Sequence, residues 1–573
     1  MTASNLPSGH QHRHQPAAMA NLSDSSTVLP NVPLFQRMLE HATARPFDTV
    51  ISDKGLDIEA NYIKIFADLQ HMRDVIQKNT QSPTGQETTF VSLLIPVNYQ
   101  FIICFLAILA SGRAFVPIRF GHNAKYALES IQRCNSNCMI YSPEEEDIAM
   151  EIKQLAAASG HSLDILPFQL PTTPPPDELS DLGLHLDTQT PLSLETPAMV
   201  TFSSGTTGFK PKGIIHSWRF FSRPWRLPPF AVFLLVVDPF HVISYLNSMI
   251  TPFLGGCKLQ IITREQGAAE IWEQMRSGRI TSFSALPGVW EDVAWYYRSH
   301  IQDLPREVRE SYLAGAKRVV YPYSMGVVTP SSVLRFWSDI GRPLLNAFGA
   351  TELGGLALST TAETESDHYR CIGKPSANVA VKLSEGNRGE LLVKSPTAML
   401  GYLDDPERTK SVYDEDGFYR TGDAASVLPN GEYIYEGRID KPAKDPIAFC
   451  ERALSSLPFV DQVVGAMLPF EYEYATHMAG FVVRIKRGSS VPTGPSGSEK
   501  AKDLSKARYR LSISVYGCYI QLDEMVPIAA RVLGPSSDRK HLDRKDVEYF
   551  LPYDKDPSFR ADIEYAVHRA CLN

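Results

Sequence analysis

Short apolar runs alternate with helical stretches along most of this 573-residue chain, and that alternation restricts the fold most. The runs 90-FVSLLIP-96, 234-LLVVDPF-240 and 390-ELLVKSP-396 predict strands; 99-YQFIICFLAILASG-112 and 267-GAAEIWEQMRSG-278 predict helices. Alternation of this kind argues an α/β architecture. The length allows more than one domain and a large buried core. No repeat of 20–50 residues interrupts the pattern. Two segments, the proline-rich Leu166–Pro197 and 487-RGSSVPTGPSGSEKAKD-503, are expected to be linkers or surface loops.

Charge and composition remove several function classes. The net charge is −8, with 43% hydrophobic and 21% charged residues, as in an ordinary soluble protein. Nucleic-acid and membrane-surface binders want clustered positive charge, so neither partner is expected. The apolar runs Phe101–Ala110 and Phe230–Val237 are too short to span a bilayer. Residues 1–30 are polar and lack the apolar core of a secretory signal; the run Gly9-His10-Gln11-His12-Arg13-His14 reads as a floppy tail rather than a metal-binding tract. The ending Cys571-Leu572-Asn573 is neither a peroxisomal tripeptide nor a prenylation box. Eight cysteines are scattered, and Cys134 and Cys138 lack a second Cys/His pair at zinc spacing. They are expected to be reduced, mostly buried thiols of a cytoplasmic protein.

The stretch 201-TFSSGTTGFKPKGIIHSW-218 cannot sit inside a helix or a strand throughout. Glycines let backbone N–H groups converge on one anion. Ser203, Ser204, Thr206 and Thr207 add hydroxyls, and Lys212 adds a mobile point charge suited to phosphate. The spacing is not that of a Walker loop. Taken alone, such a stretch is more often a plain surface turn. Three others accompany it. In 346-NAFGATELGG-355, Thr351 and Glu352 follow a strand-like lead-in, and a carboxylate beside a phosphate loop suits the magnesium that accompanies ATP. In 417-GFYRTGDAASV-427, Asp423 ends a Thr-Gly-Asp turn; 432-EYIYEGRIDK-441 contributes Arg438 and Asp440. An acidic group can take both hydroxyls of a ribose.

In this order and at these separations the set resembles the adenylate-forming (AMP-binding) superfamily, which includes acyl- and aryl-CoA ligases, luciferases and peptide-synthetase adenylation domains. The stretches 92-SLLIPVNYQFIICFLAILASGRAFVPI-118 and 389-GELLVKSPTAMLGYLDDPERTKSVYDEDGFYRTGD-423 extend the resemblance, which is strong over roughly residues 85–440 and weak beyond. It implies a flexible tail over residues 1–33, a large N-terminal domain over 34–439, with α/β sheets and a small β-barrel-like subdomain, and a small mobile α+β lid over 440–573. It implies that Ser204, Gly205, Thr206, Thr207, Gly208 and Lys212 grip the triphosphate, Thr351 touches the α-phosphate and Glu352 ligates magnesium. Phe348 lies near the adenine, Asp423 takes the ribose hydroxyls with Arg438 supporting, and Asp440 is the hinge. The implied reaction is attack of a carboxylate on the α-phosphorus of ATP, giving an acyl-adenylate and pyrophosphate, then transfer to CoA. The protein contributes charge neutralisation and alignment.

The family also needs a lysine from the small domain, and in 533-LGPSSDRKHLDRK-545 it falls on Lys540, with Lys545 as the fallback because Arg539 replaces the usual preceding glycine. In 238-DPFHVISYLNSMITPFLGG-256, His241 stands where amino-acid-activating domains usually carry Asp. A buried ammonium without a partner is costly, so an α-amino acid substrate is disfavoured unless Asp238 turns inward. His241 either contacts the substrate carboxylate, gates the pocket or simply packs; Ser324, Met325, Gly326 and Ala347 are further pocket candidates.

Two departures stand out. Phe209 and Lys210 both precede Pro211-Lys212-Gly213, where the family has one residue. After Asp440 the chain reaches its next helix about five residues early, without the family's glycine turn, while Pro442 and Pro446 stiffen the segment. That leaves adenylation in place and bears on thioester formation. The general look is of divergent fungal ligases that supply secondary metabolism. The alternatives are a stand-alone enzyme loading a separate carrier protein, and a degenerate adenylate-binding protein without catalysis.

Overall fold

The computed structural model describes residues 27–80, 88–118, 124–189, 192–203, 212–222, 231–236, 249–262, 266–326, 328–439, 460–472, 475–485 and 528–533. Two large sheets carry the fold. In the seven-stranded sheet the order is Gly401–Tyr402, Lys212–Ser217, Pro197–Ser203, Ala114–Pro117, Phe90–Leu94, Cys138–Tyr141 and Asp164–Pro167. Ala114–Pro117 and Cys138–Tyr141 are buried at every position, as parallel strands covered on both faces should be. Phe90–Leu94 pairs in parallel with both.

The helix Tyr99–Ala110 makes the crossover between Phe90–Leu94 and Ala114–Pro117. It is apolar all round and buried at every position but one, so it is an interior helix. Its first turn is closed from two directions. The Asn98 side chain accepts from the Phe101 N–H at 3.1 Å, and Asp53 accepts from the Tyr99 N–H at 2.8 Å. The other predicted helix spans Gly267–Arg276, and the predicted strand near 390 spans Arg388–Lys394. Of 234–240, residues up to Leu235 form the strand Val232–Leu235, while 237–240 lie outside the described residues.

At one edge of the second sheet Ile58–Asn61 pairs antiparallel with Thr49–Asp53, and a run of parallel strands follows. Thr49–Asp53, Lys258–Ile261, Val232–Leu235, Ser282–Ala285, Tyr321–Met325 and Leu345–Ala350 follow one another across it. From Gly355–Ser359 onward the pairing becomes antiparallel, through Cys371–Pro375, Tyr433–Arg438, Tyr419–Val427 and Arg388–Lys394 to Ala380–Glu385. This antiparallel half corresponds to the expected small β subdomain, joined to the parallel half by continuous hydrogen bonding. Register shifts recur in it, and bulges bend strands and raise their twist.

The leucine-rich part of Leu166–Pro197 is packed onto the domain. Phe168 is buried, and Leu170, Leu179, Leu182, Leu184, Leu186, Leu192 and Leu194 pack on the main core. The segment is therefore a surface strap. Its residues His185–Leu186 pair in parallel with Val28–Leu29, and Val32 is buried. The last residues of the stretch expected as a tail thus pack into the domain. Five described cysteines, Cys104, Cys134, Cys138, Cys257 and Cys371, are buried free thiols; burial pushes Cys134 and Cys138 up to about 12. Further along, Val460–Tyr472 pairs antiparallel with Ala475–Ile485, which pairs in parallel with Ile528–Leu533. The expected loop 487–503 lies outside the described residues.

Candidate functional site

The glycine-rich stretch is the connection of a β-hairpin. Pro197–Ser203 pairs antiparallel with Lys212–Ser217, and Lys212 stands opposite Ser203. A Walker loop instead joins a strand to a helix. Ser204, Gly205, Thr206, Thr207 and Gly208 lie outside the described residues, as does the surplus Phe209-Lys210 pair. Lys212 itself is fixed by strand pairing at the hairpin's base. The lysine Nζ stands 5.8 Å from the centroid of the Tyr402 ring, a cation–π arrangement.

Glu352 occupies a single 3-10 turn, Thr351–Leu353, directly after the strand Leu345–Ala350. Gly354 closes the turn in the left-handed region at φ +70. Residues 397–403 bind this turn to the hairpin. The Met399 N–H donates to the Glu352 carbonyl at 2.8 Å, and the Thr397 hydroxyl to the Leu353 carbonyl at 3.2 Å. On the other side, the Leu400 and Leu403 N–H groups donate to the Ile215 and Gly213 carbonyls, each at 2.8 Å. Two glycines allow the approach. A Cβ on Gly354 would lie 2.0 Å from the Thr397 carbonyl oxygen, and one on Gly213 would lie 2.9 Å from the Leu403 Cβ. The glycines of Pro-Lys-Gly and Thr-Glu-Leu-Gly are thus contact points for one strap.

The strap delivers Tyr402 to the Glu352 carboxylate. Its hydroxyl donates to Oε1 at 2.9 Å, and the Tyr419 hydroxyl lies 3.4 Å from that of Tyr402. Burial and the Glu352 charge push both phenols well above the ordinary tyrosine range, so both stay donors. A carboxylate offers about four acceptor positions, so the Tyr402 hydroxyl leaves room for a cation. Among the described residues no three His, Cys, Asp or Glu side chains gather into a metal cage. Magnesium needs none, since it binds through one or two carboxylates, substrate phosphates and water. Half-buried Glu352, linked through Tyr402 to Lys212, fits that requirement.

Asp423 and Arg438 face each other across adjacent strands, Tyr419–Val427 and Tyr433–Arg438. Arg438 Nη1 donates to the Thr421 carbonyl at 2.8 Å and reaches Asp423 Oδ1 at 3.4 Å; the Tyr435 hydroxyl donates to the same oxygen at 3.3 Å. Asp423 is 8% exposed, so its carboxylate is held in place before any ligand arrives. The expected Thr-Gly-Asp turn is instead a bulged piece of strand, with Gly422 at φ +71. A Cβ there would lie 2.7 Å from Arg438 Nη2, so the glycine makes room for the guanidinium. Phe348 lies with its ring 6.2 Å from that of Tyr435. Tyr419 and Asp423 lie on one strand, which links the Glu352 turn to the Asp423 group through Tyr402 and Tyr419.

The acyl-pocket candidates sit where two parallel strands adjoin. Ser324 pairs with Asn346 and Met325 with Ala347. The Thr329 hydroxyl lies 2.8 Å from the Ser324 hydroxyl and 3.0 Å from Asn346 Oδ1, while Asn346 Nδ2 donates to the Tyr369 and Cys371 carbonyls at 3.2 and 3.1 Å. Gly326 follows at φ +95, where a Cβ would lie 2.6 Å from Leu286 Cδ2. His241, Asp440, Lys540 and the fallback Lys545 lie outside the described residues.

Sequence reasoning missed three tyrosines: Tyr402, Tyr419 and Tyr435. Each belongs to one of the motif-bearing stretches, but no local pattern marks it, because its partner lies in another stretch or across a strand pair. His216 is a different surprise. It is fully buried on the strand that starts at Lys212, its ring lies 5.0 Å from that of Phe220, and neither ring nitrogen has a hydrogen-bond partner among the described residues.

Known proteins resemble this chain in sequence and in fold. The AMP-binding enzyme family model matches residues 84–403, from just before the strand Phe90–Leu94 to the end of the strap 397–403. An acyl-CoA ligase of Aspergillus oryzae, oryP, is 28% identical and covers 92% of this chain and 93% of its own length. A malonate–CoA ligase of Arabidopsis thaliana is 24% identical over 61% of this chain and 59% of its own. Among solved structures, the anthranilate CoA ligase AuaEII with anthranoyl-AMP superposes at TM-score 0.60 with 17% identity, covering 82% of this chain and 90% of that one. A fatty acyl CoA synthetase of Mycobacterium tuberculosis gives TM-score 0.59 at 18% identity, covering 79% and 88%. With the family model spanning more than half of the sequence, and both the hairpin lysine and the Glu352 turn inside its span, the chain belongs to the AMP-binding enzyme family.

Proposed function

We propose that this chain is an AMP-forming acid–thiol ligase that activates a carboxylic acid with ATP and transfers the acyl group to CoA. The observation that carries the reading is the Glu352 carboxylate held by Tyr402 beside Lys212, with the Asp423–Arg438 pair further along the Tyr419–Val427 strand. In this reading the hairpin residues Ser204–Gly208 and Lys212 take the β- and γ-phosphates, and Thr351 takes the α-phosphate. Glu352 holds magnesium, which when bound neutralises phosphate charge. Asp423 accepts both ribose hydroxyls, with Arg438 and Tyr435 fixing its orientation. Phe348 flanks the adenine.

The acid carboxylate attacks the α-phosphorus, pyrophosphate leaves, and the CoA thiolate then displaces AMP from the acyl carbon. The resident groups align and neutralise charge, and no protein acid or base is needed for the first step. Lys540 bridges carboxylate and α-phosphate from a lid over 440–573, hinged at Asp440 against a domain over 34–439; His241 borders the acyl pocket. The Aspergillus relative, an acyl-CoA ligase aligned over nearly its full length, supports CoA as acceptor; a place in secondary metabolism is part of the same proposal. No described helix is long and apolar enough to cross a membrane, which accords with a cytoplasmic enzyme.

The test is carboxylate-dependent exchange of labelled pyrophosphate into ATP over an acid panel, followed by addition of CoA. The reading expects exchange with at least one acid, thioester once CoA is added, and loss of exchange in Lys540→Ala. No exchange with any acid contradicts catalysis. Exchange without thioester points to a carrier-protein acceptor. Full exchange in Lys540→Ala moves the bridging role to Lys545.

A further inference from the structure

The strap 397–403 is hydrogen-bonded to both the hairpin strand and the Glu352 turn, and it presents one side chain to both charged groups. That side chain is Tyr402, only 6% exposed. Its ring lies under the Lys212 ammonium at 5.8 Å, and its hydroxyl holds Glu352 Oε1 at 2.9 Å. The strand pairing Ile214 with Tyr402 and Ile215 with Gly401 sets the ring's height against the hairpin. The Tyr402 N–H donates to Thr409 Oγ1 at 2.8 Å, tying the strap's end to the helix Pro406–Ser411. Tyr419, on the strand Tyr419–Val427 of the other sheet, backs the hydroxyl at 3.4 Å.

From this geometry we infer that Tyr402 is a positioning residue that sets the spacing between the triphosphate cation, Lys212, and the metal-binding carboxylate, Glu352. It touches neither the reacting carbon nor the α-phosphorus in the proposed reaction, and it acts through its two neighbours. The hydroxyl removes rotational freedom from the carboxylate, and the ring limits the excursion of the lysine. Preorganisation of this kind shows as affinity for the metal–nucleotide complex rather than for the acid. The inference rests on the proposed role of Glu352 as the magnesium ligand.

The test measures binding of Mn2+ with α,β-methylene-ATP to the full chain, by the loss of the free Mn2+ electron paramagnetic resonance signal. Tyr402→Phe keeps the ring and removes one hydrogen bond to a charged group; binding is expected to weaken roughly tenfold. Tyr402→Leu removes the ring too and is expected to weaken it further. In the Glu352→Gln background, Tyr402→Phe is expected to add little, because the two act through one contact. The KM for the acid should stay within about twofold in Tyr402→Phe, an outcome general loosening of the fold would not give. Circular dichroism confirms folding of each variant. If Glu352→Gln weakens Mn2+–nucleotide binding while Tyr402→Phe matches the unaltered protein, the positioning role is overturned and the role of Glu352 stands. If Glu352→Gln itself has no effect, the metal-ligand reading falls, and the inference falls with it. Equal, additive losses in both backgrounds also overturn it.

Discussion

Replacing Gly354 with Ala strikes the point where the strap meets the Glu352 turn. Two terms oppose the new methyl group. The backbone there is at φ +70, where an L side chain costs roughly 1–2 kcal/mol. The methyl would also lie 2.0 Å from the Thr397 carbonyl oxygen and 2.9 Å from the Thr397 hydroxyl. No contact of that length survives, so the strap must retreat. Retreat stretches the bonds from Thr397 to the Leu353 carbonyl and from Met399 to the Glu352 carbonyl, each contributing about 0.5–1.5 kcal/mol. The sum is about 2–5 kcal/mol. Gly386 supplies the internal reference. It has φ +73 and nothing within 4 Å of the place a methyl group would take, so Gly386→Ala carries the backbone term alone. Urea denaturation of both variants, followed by tryptophan fluorescence, should therefore place Gly354→Ala about 1–3 kcal/mol below Gly386→Ala. The same variant should bind metal–nucleotide more weakly, because Tyr402 moves with the strap. Equal stabilities for the two alanine variants would refute the strap's role in fixing the turn.

Other outcomes follow from single groups. Burial holds the His216 ring down at about 3 from an ordinary 6.5, so it folds neutral. A folded-state pKa below the unfolded one gives stability that is present above about pH 6.5 and lost as pH falls toward about 3. Between pH 7.5 and 5.5 the protein should lose roughly 1.4 kcal/mol more than His216→Leu does, measured by urea denaturation at each pH; identical pH dependence in the two would contradict the buried neutral ring. Asp423→Asn keeps the shape but not the charge beside Arg438, so the KM for ATP should rise by about tenfold or more with the acid KM little changed. An unchanged ATP KM would remove Asp423 from the ribose site.

The sequence made the α/β class legible because buried parallel strands and the interior helix Tyr99–Ala110 read as apolar runs. It also located the stretches that meet at the site, since glycines and charged residues in unusual local patterns mark them. What joins those stretches was not legible. The Gly213–Leu403 and Glu352–Tyr402 contacts span 190 and 50 positions by number, and nothing local distinguishes a tyrosine bound to a carboxylate from one packed in a core. The Thr-Gly-Asp segment looked like a turn because Gly422 does adopt a left-handed conformation; its setting between Arg388–Lys394 and Tyr433–Arg438 makes that conformation a bulge. The proline-rich strap after residue 166 resembled a linker by composition, but its leucines are spaced among the prolines and bury against the core. Long-range packing, rather than propensity, decides each of these cases.

The measurement closest to the central claim is the product balance of a single incubation of the protein with ATP, Mg2+, CoA and an acid that supports pyrophosphate exchange. An AMP-forming acid–thiol ligase yields AMP, pyrophosphate and acyl-CoA in equal amounts, none of them formed when the acid is omitted. ADP and phosphate in place of AMP and pyrophosphate would contradict it.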